Sequence, residues 1–116
     1  MIRINEMYVD GEAFSKIADG SRSVMLFLYD EKRRLISRAK DSFRFINKQD
    51  NKGKIYVRIK DLHIYPSFAE LFESGLLEKC GFENATVADA VNLMRKYYSA
   101  EDEKKYGVIG IEFVKE

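Results

Sequence analysis

A chain of 116 residues with 46% hydrophobic side chains holds enough apolar material for one core, and its formal net charge of +1 argues against a general polyanion binder or an acidic tail. No apolar run approaches the roughly 20 residues of a membrane helix, and MIRINEMYVDGE lacks the apolar segment of a secretory signal. The single cysteine, Cys80, rules out an internal disulfide or a multi-cysteine metal site, so a reducing cytoplasm is the expected location.

In chain order, IRINEMYV has the make-up of a short strand. GEAFSKIADG then places Phe14, Ile17 and Ala18 on one helical stripe, and Gly20 is a natural helix stop. VMLFLY is apolar at every position, which predicts a strand buried on both faces. KDSFRFINK alternates, with Phe43 and Phe45 inward and Ser42 and Arg44 outward, before an NKG turn. The next strand, GKIYVRIKDLHIY, puts Ile55, Val57 and Ile59 on one face, but Leu62 and Ile64 have the opposite parity. One extra residue near Lys60–Asp61 reconciles the halves, so a β-bulge that bends the strand is expected there.

The only proline, Pro66, precedes Ser67–Phe68–Ala69–Glu70, the pattern of a capping box, and Gly75 ends the helix it opens. LLEKCGFEN reads as an irregular connection. Thr86 begins another helix with Val87, Ala90, Val91 and Met94 as its buried stripe, and Ser99 begins a third that stops near Gly107. VIGIEFV is a final strand with Ile109, Ile111 and Phe113 on one face. Strands outnumber helices and no strand–helix–strand unit repeats. The predicted fold is a single α+β domain over 1–116, built on a curled and mostly antiparallel sheet.

The small total charge conceals an uneven distribution. Residues 1–31 carry three basic and six acidic side chains, 32–60 carry eleven and two, and 61–116 carry six and eleven, for nets of −3, +9 and −5. If the middle third forms adjacent strands, its cations should share a face able to hold phosphates; otherwise they are a solvated sheet face balanced by acidic helices.

Several chemistries are absent. One histidine, His63, cannot make a two-histidine metal site, HExxH is missing, and there is no phosphate-binding GxxxxGK[ST]. No metal and no cofactor are therefore expected. His63 reads as a structural residue, Cys80 as a buried inert thiol among Leu76, Leu77 and Phe82, and Glu101–Asp102–Glu103 as the solvated start of a helix.

Four stretches, FSKIADGSRS, LYDEKRR, YPSFAELFESG and YYSAEDEKKYGVIGIEF, together resemble the ASCH family of small PUA-like proteins over nearly the whole chain. The resemblance implies a β-barrel of about six strands with helices packed around it, and a cleft between barrel and helices that takes RNA or a nucleotide. Some small members are amidohydrolases that deacetylate N4-acetylcytidine, with a lysine after the glycine turn, a threonine three residues on, and a glutamate before the later helix. Here Gly20 keeps the turn, Arg22 stands at the lysine position, Met25 at the threonine position and Phe27 where an arginine often follows, while Glu83 matches the glutamate.

Arginine stays protonated where a lysine could act as base or nucleophile, and methionine cannot relay a proton. The resemblance therefore implies binding without catalysis. Gly20, Arg22, Ser23, Met25 and Phe27 would lie at the cleft, Met25 and Phe27 either as core or as an apolar patch that stacks a base. Lys32, Arg33, Arg34, Arg38 and Lys40 would supply phosphate contacts. The alternative is an amidohydrolase with Glu83 as acid–base group and Arg22 as anion stabiliser; a third possibility is a protein-interaction module using the acidic helix. The expected partner is RNA, a nucleotide or a modified nucleoside, with no membrane association and a monomeric chain.

Overall fold

The computed structural model describes residues 2–116; Met1, the first residue of the expected domain, lies outside them. Five strands run β1 (Arg3–Val9), β2 (Val24–Leu28), β3 (Asp41–Asn47), β4 (Lys54–Tyr65) and β5 (Val108–Lys115). They form one sheet in the order β1-β3-β4-β5-β2. Among the described residues only the β1–β3 pairing is parallel; the other three are antiparallel. The sheet curls into a half-barrel with helices packed around it, an α+β fold as the alternation of patterns predicts. Where the resemblance implies about six strands and a barrel, the described residues form five strands, with β1 and β2 as its two edges.

The curl has a local cause. The β4–β5 register shifts between Ile59 and Asp61, at the position where the apolar parity of the sequence switches. A bulge there lets Val57 and Ile59 face the barrel interior while Leu62, two registers on, packs against the same core. Ile64 does not follow, and its side chain is half exposed.

Two cores share the sheet. Inside the half-barrel lie Met25, Phe43, Phe45, Val57, Ile109 and Ile111, with Phe45 and Phe113 in tilted contact at 5.2 Å between ring centroids. On the other face of β2, Val24, Leu26 and Leu28 pack with Phe68, Leu71 and Phe72. All five residues of β2 are thus buried, although β2 is an edge strand, because helices cover its outer face and the barrel core its inner one. Gly110 on β5, paired opposite Leu26, makes this close approach possible: a Cβ there would stand 3.0 Å from Val24 Cγ1 and 3.2 Å from Leu71 Cδ1.

The helices begin where their capping residues place them. α1 (Gly11–Asp19) is capped by Asp10, whose carboxylate accepts from the Ala13 N–H, and ends at Gly20 with φ 86°. Its inward stripe is Ala13, Phe14 and Ile17; Ala18, expected in it, is exposed, since it stands five residues beyond Ala13 and turns off the stripe. α2 (Phe68–Leu71) starts at Ser67 and widens into a π turn over Phe72–Leu76, in which Gly75 has φ 102°. α3 (Val87–Met94) opens with the full reciprocal capping box of Thr86 and Asp89, and α4 (Ala100–Tyr106) is capped by Ser99. No helix among the described residues is long and apolar enough to cross a membrane.

Glu103 on α4 departs from the expectation of a solvated acidic start. It is buried, accepts from the Phe68 N–H at 2.6 Å and pairs with Arg95, so it joins α4 to the start of α2 and the end of α3. Glu101 and Asp102 are exposed as expected.

Candidate binding cleft

The open side of the half-barrel contains two cavities, of about 300 Å³ and about 480 Å³. Both are lined by Met7 of β1 and Phe27 of β2, so they are two lobes of one cleft. The smaller lobe lies under the segment after β2, where Lys32, Arg33, Leu35 and Ile36 face Asn5 and Asp41. A short 3-10 turn, Arg33–Leu35, shapes that segment. The larger lobe lies between the sheet, α1 and the end of α3. Lys16, Arg22 and Lys96 supply its cations, and Phe82, Tyr97 and Tyr98 its aromatic surface.

Arg22 is held by local backbone pairing. It forms an isolated antiparallel bridge with Cys80, and the Ser23 and Val24 N–H groups both donate to the Lys79 carbonyl. The side chain is partly buried, and its only hydrogen bond among the described residues is a long one, 3.5 Å from Nε to the Val24 carbonyl. No ion pair among the described residues involves it. Burial holds its guanidinium below the ordinary arginine basicity, against weaker upward pulls from Cys80, Asp10 and Tyr97. Even so shifted, arginine remains a cation. Asp10 and Glu12 line the same lobe, though neither pairs with Arg22, so the guanidinium's N–H groups face an aromatic wall with some capacity left to receive an anionic group.

Arg33 occupies the junction of the lobes. Its guanidinium carbon lies 4.1 Å from the centroid of the Phe27 ring, a cation–π contact. Asp41 forms the polar floor of the smaller lobe. It is buried and accepts from Arg3 at 2.9 Å, Asn5 at 3.2 Å and the Ser37 N–H at 2.7 Å. Burial raises its pKa, but these donors outweigh burial and hold the carboxyl below its ordinary value.

The structure gathers some of the expected site residues and separates others. Arg22, Phe27, Lys32 and Arg33 line the cleft. Met25 does not: it is buried in the barrel core with Ile17 and Ile111, because the inner face of β2 meets the cleft only toward Phe27. A base-stacking patch of Met25 and Phe27 is likewise not formed, since both are buried in the barrel core, at 6% and 5% exposure, and Phe27 also carries Arg33. Gly20 serves as the αL cap of α1, and Ser23 is committed to the Lys79 carbonyl through its backbone. Arg34 stacks over Tyr29 at 4.3 Å and donates to the Tyr106 carbonyl, outside both lobes. Arg38 and Lys40 are exposed in the turn before β3.

Glu83 is exposed on the turn before α3 and lines neither lobe, although Gly81 and Phe82 line the larger one. Arg22 and Glu83 therefore do not meet in one cavity. The basic middle third also fails to form one face: 32–40 is loop rather than strand, Arg44 is paired with Glu6 at 2.6 Å, and Lys60 approaches Glu112 at 3.8 Å.

Tyr97, 74% exposed, and Phe82 are cleft residues that the sequence reading passed over. The available clue was the Tyr97–Tyr98 pair at a helix end: Tyr98 packs on Phe68 at 5.8 Å, which leaves Tyr97 outward.

Away from the cleft, Asp61, His63 and Glu112 bring three potential metal-ligand atoms within 4.8 Å of one another. Glu112 is already bonded to His63 at 2.9 Å and Lys79 at 3.2 Å, with Lys60 nearby. Those ammonium groups neutralise the carboxylate and occupy its lone pairs, so the donor set fits an ion-pair network better than a divalent cation. The network also anchors Lys79, next to the Cys80–Phe82 wall of the larger lobe.

Fold and cleft together define a small α+β half-barrel domain with an aromatic groove of mixed charge along its open side, where Asp10 and Glu12 accompany the cations of the larger lobe and Glu6 and Asp41 those of the smaller. No protein-family model matches the chain, and no curated protein does. Among solved structures, the chain is 32% identical to the hypothetical protein PH0355, seen in a crystal structure, over 98% of this chain and 100% of that one, with a TM-score of 0.84. It is also 32% identical to PF0455 from Pyrococcus furiosus, a solution NMR structure, over 97% of each chain, with a TM-score of 0.76. The chain belongs to the family that these two proteins represent.

Proposed function

We propose that this protein is a small ASCH-type, PUA-like module that binds RNA or a nucleotide in the cleft between half-barrel and helices, without catalysing a reaction on it. The observation that carries this reading is Arg22: a partly buried guanidinium that forms no ion pair among the described residues, in a lobe that Asp10 and Glu12 share and that Phe82, Tyr97 and Tyr98 wall. Guanidinium and aromatic rings in one groove suit a phosphate joined to a base, the first by bidentate hydrogen bonds and the second by stacking. The amidohydrolase reading needs an acid–base group beside Arg22, and Glu83 lies on the surface outside that lobe. Binding is therefore the better supported of the two.

Fluorescence polarisation with a labelled short single-stranded RNA tests it. Wild type should bind at low salt, and Arg22→Gln should bind about 10- to 100-fold more weakly, the loss expected of one charge-assisted contact. Equal affinity of both proteins, or none in wild type, would refute the proposal.

A further inference from the structure

The bonds of the Arg22 side chain do little to fix it: among the described residues it has no ion pair and one hydrogen bond of 3.5 Å. Its stem rests instead on the turn at 79–82. Gly81 in that turn has φ 90° and presents bare backbone to the arginine; a Cβ there would stand 3.4 Å from Arg22 Cδ and 3.6 Å from Cγ. What fixes the turn therefore also sets the guanidinium. Lys16 of α1 donates to the Gly81 carbonyl at 3.2 Å, and Lys79 ties the turn to two strands at once. The Lys79 carbonyl accepts from the Ser23 and Val24 N–H groups at 2.8 and 3.0 Å, at the start of β2. Its ammonium donates to Glu112 of β5 at 3.2 Å, and Glu112 is the register partner of Val24. Glu112 is buried, and His63 holds its other carboxylate oxygen at 2.9 Å.

Resting on the binding reading above, we infer that Lys79 and Glu112 are positioning residues for Arg22: their ion pair pins the 79–82 turn, and the turn holds the guanidinium in the orientation that receives the ligand. Neither residue lines a lobe, so their influence reaches the ligand only through the turn. Desolvation cancels much of the stability that a buried carboxylate adds, and the main return on burying Glu112 is a defined geometry. A binding side chain keeps its productive orientation when such supporting contacts lock its surroundings.

The test compares Lys79→Met and Glu112→Gln with wild type by two readouts, native iodoacetamide labelling of Cys80 and affinity for the labelled single-stranded RNA. Cys80 is 2% exposed within the turn, so its labelling reports the turn's opening. The Lys79 side chain is 51% exposed, so Lys79→Met leaves the fold intact even if Glu112→Gln disturbs it. Ser67→Ala, which removes the cap of α2 and lines neither lobe, controls for a general loss of stability. Lys79→Met and Glu112→Gln should each label at least about tenfold faster than wild type and the control, because local opening becomes easier. Each should also bind RNA about fivefold more weakly, the coupling expected of residues in one network. Added to Arg22→Gln, either substitution should change affinity less than about twofold, since both act through Arg22. Labelling no faster than in Ser67→Ala, or an equally large loss of affinity in the Arg22→Gln background, would overturn the inference while leaving the binding reading in place. Absence of RNA binding by wild type would overturn both.

Discussion

Removing the carboxylate of Glu103 should destabilise the protein by about 3 kcal/mol, an effect that can be assembled from its contacts. Glu103 is 5% exposed and accepts from the Phe68 N–H at 2.6 Å. Truncation to alanine leaves that N–H buried and without its charged acceptor, a loss of about 1.5–3 kcal/mol. The pair with Arg95 adds less, about 0.5–1 kcal/mol, because the Arg95 side chain is 35% exposed and water screens it. At about 4 °C per kcal/mol for a domain of this size, Glu103→Ala should lower Tm by about 12 °C. Glu103→Gln keeps an acceptor for Phe68 and should cost about half as much. Arg95→Ala, which exposes the carboxylate to water, should cost about 1 kcal/mol. Urea and thermal unfolding of the three variants would measure this. A Glu103→Ala cost below 1 kcal/mol, or an Arg95→Ala cost equal to it, would refute the assignment of most of the effect to the Phe68 N–H.

Acid stability should depend on Glu112 and Asp41. Burial opposes ionisation of both, yet His63, Lys79 and Lys60 around Glu112, and Ser37, Asn5 and Arg3 around Asp41, hold their pKa values below the ordinary 4.5 and 3.8. The folded state then binds fewer protons than the unfolded state, so this stabilisation is complete above about pH 5 and is lost as pH falls through the lowered folded values. Urea midpoints measured between about pH 6 and pH 3 should fall, and the fall should be shallower in Glu112→Gln; an unchanged slope would contradict this account. Cys80 should resist alkylation in the folded protein, since burial pushes its thiol up to about 12. At about pH 8 roughly one thiol in ten thousand is ionised, so iodoacetamide should label Cys80 only after urea is added, and rapid native labelling would show an accessible thiol instead.

Much of the fold was legible because local rules and tertiary structure agree. The parity switch between Ile59 and Leu62 located the bulge at Ile59/Asp61, and Thr86 and Ser99 marked two helix starts through their side-chain bonds to the third residue on. The unbroken apolar run at 24–28 announced two-sided burial. That same uniformity hid which residue borders the cleft: nothing in the sequence distinguishes Met25, which lines neither lobe, from Phe27, which is equally buried in the same core yet borders both. Glu103 was misread because charge at a helix start has a sufficient local explanation, whereas its partner Phe68 lies 35 residues away. The cleft itself joins β1, β2, the 79–82 turn and the end of α3. Contacts between segments so far apart leave no mark in periodicity or spacing, and only the family resemblance raised the idea of a cleft at all.

The most direct test of the central claim is an amide chemical-shift titration of the isotopically labelled protein with a short single-stranded RNA. The account predicts saturable shifts concentrated at Arg22, Leu26–Phe27, Lys32–Arg33, Gly81–Phe82 and Lys96–Tyr98, the borders of the two lobes. Shifts confined to the outer sheet face around Arg44 and Arg58, or no saturable shift at low salt, would show that the cleft is not where this protein meets nucleic acid.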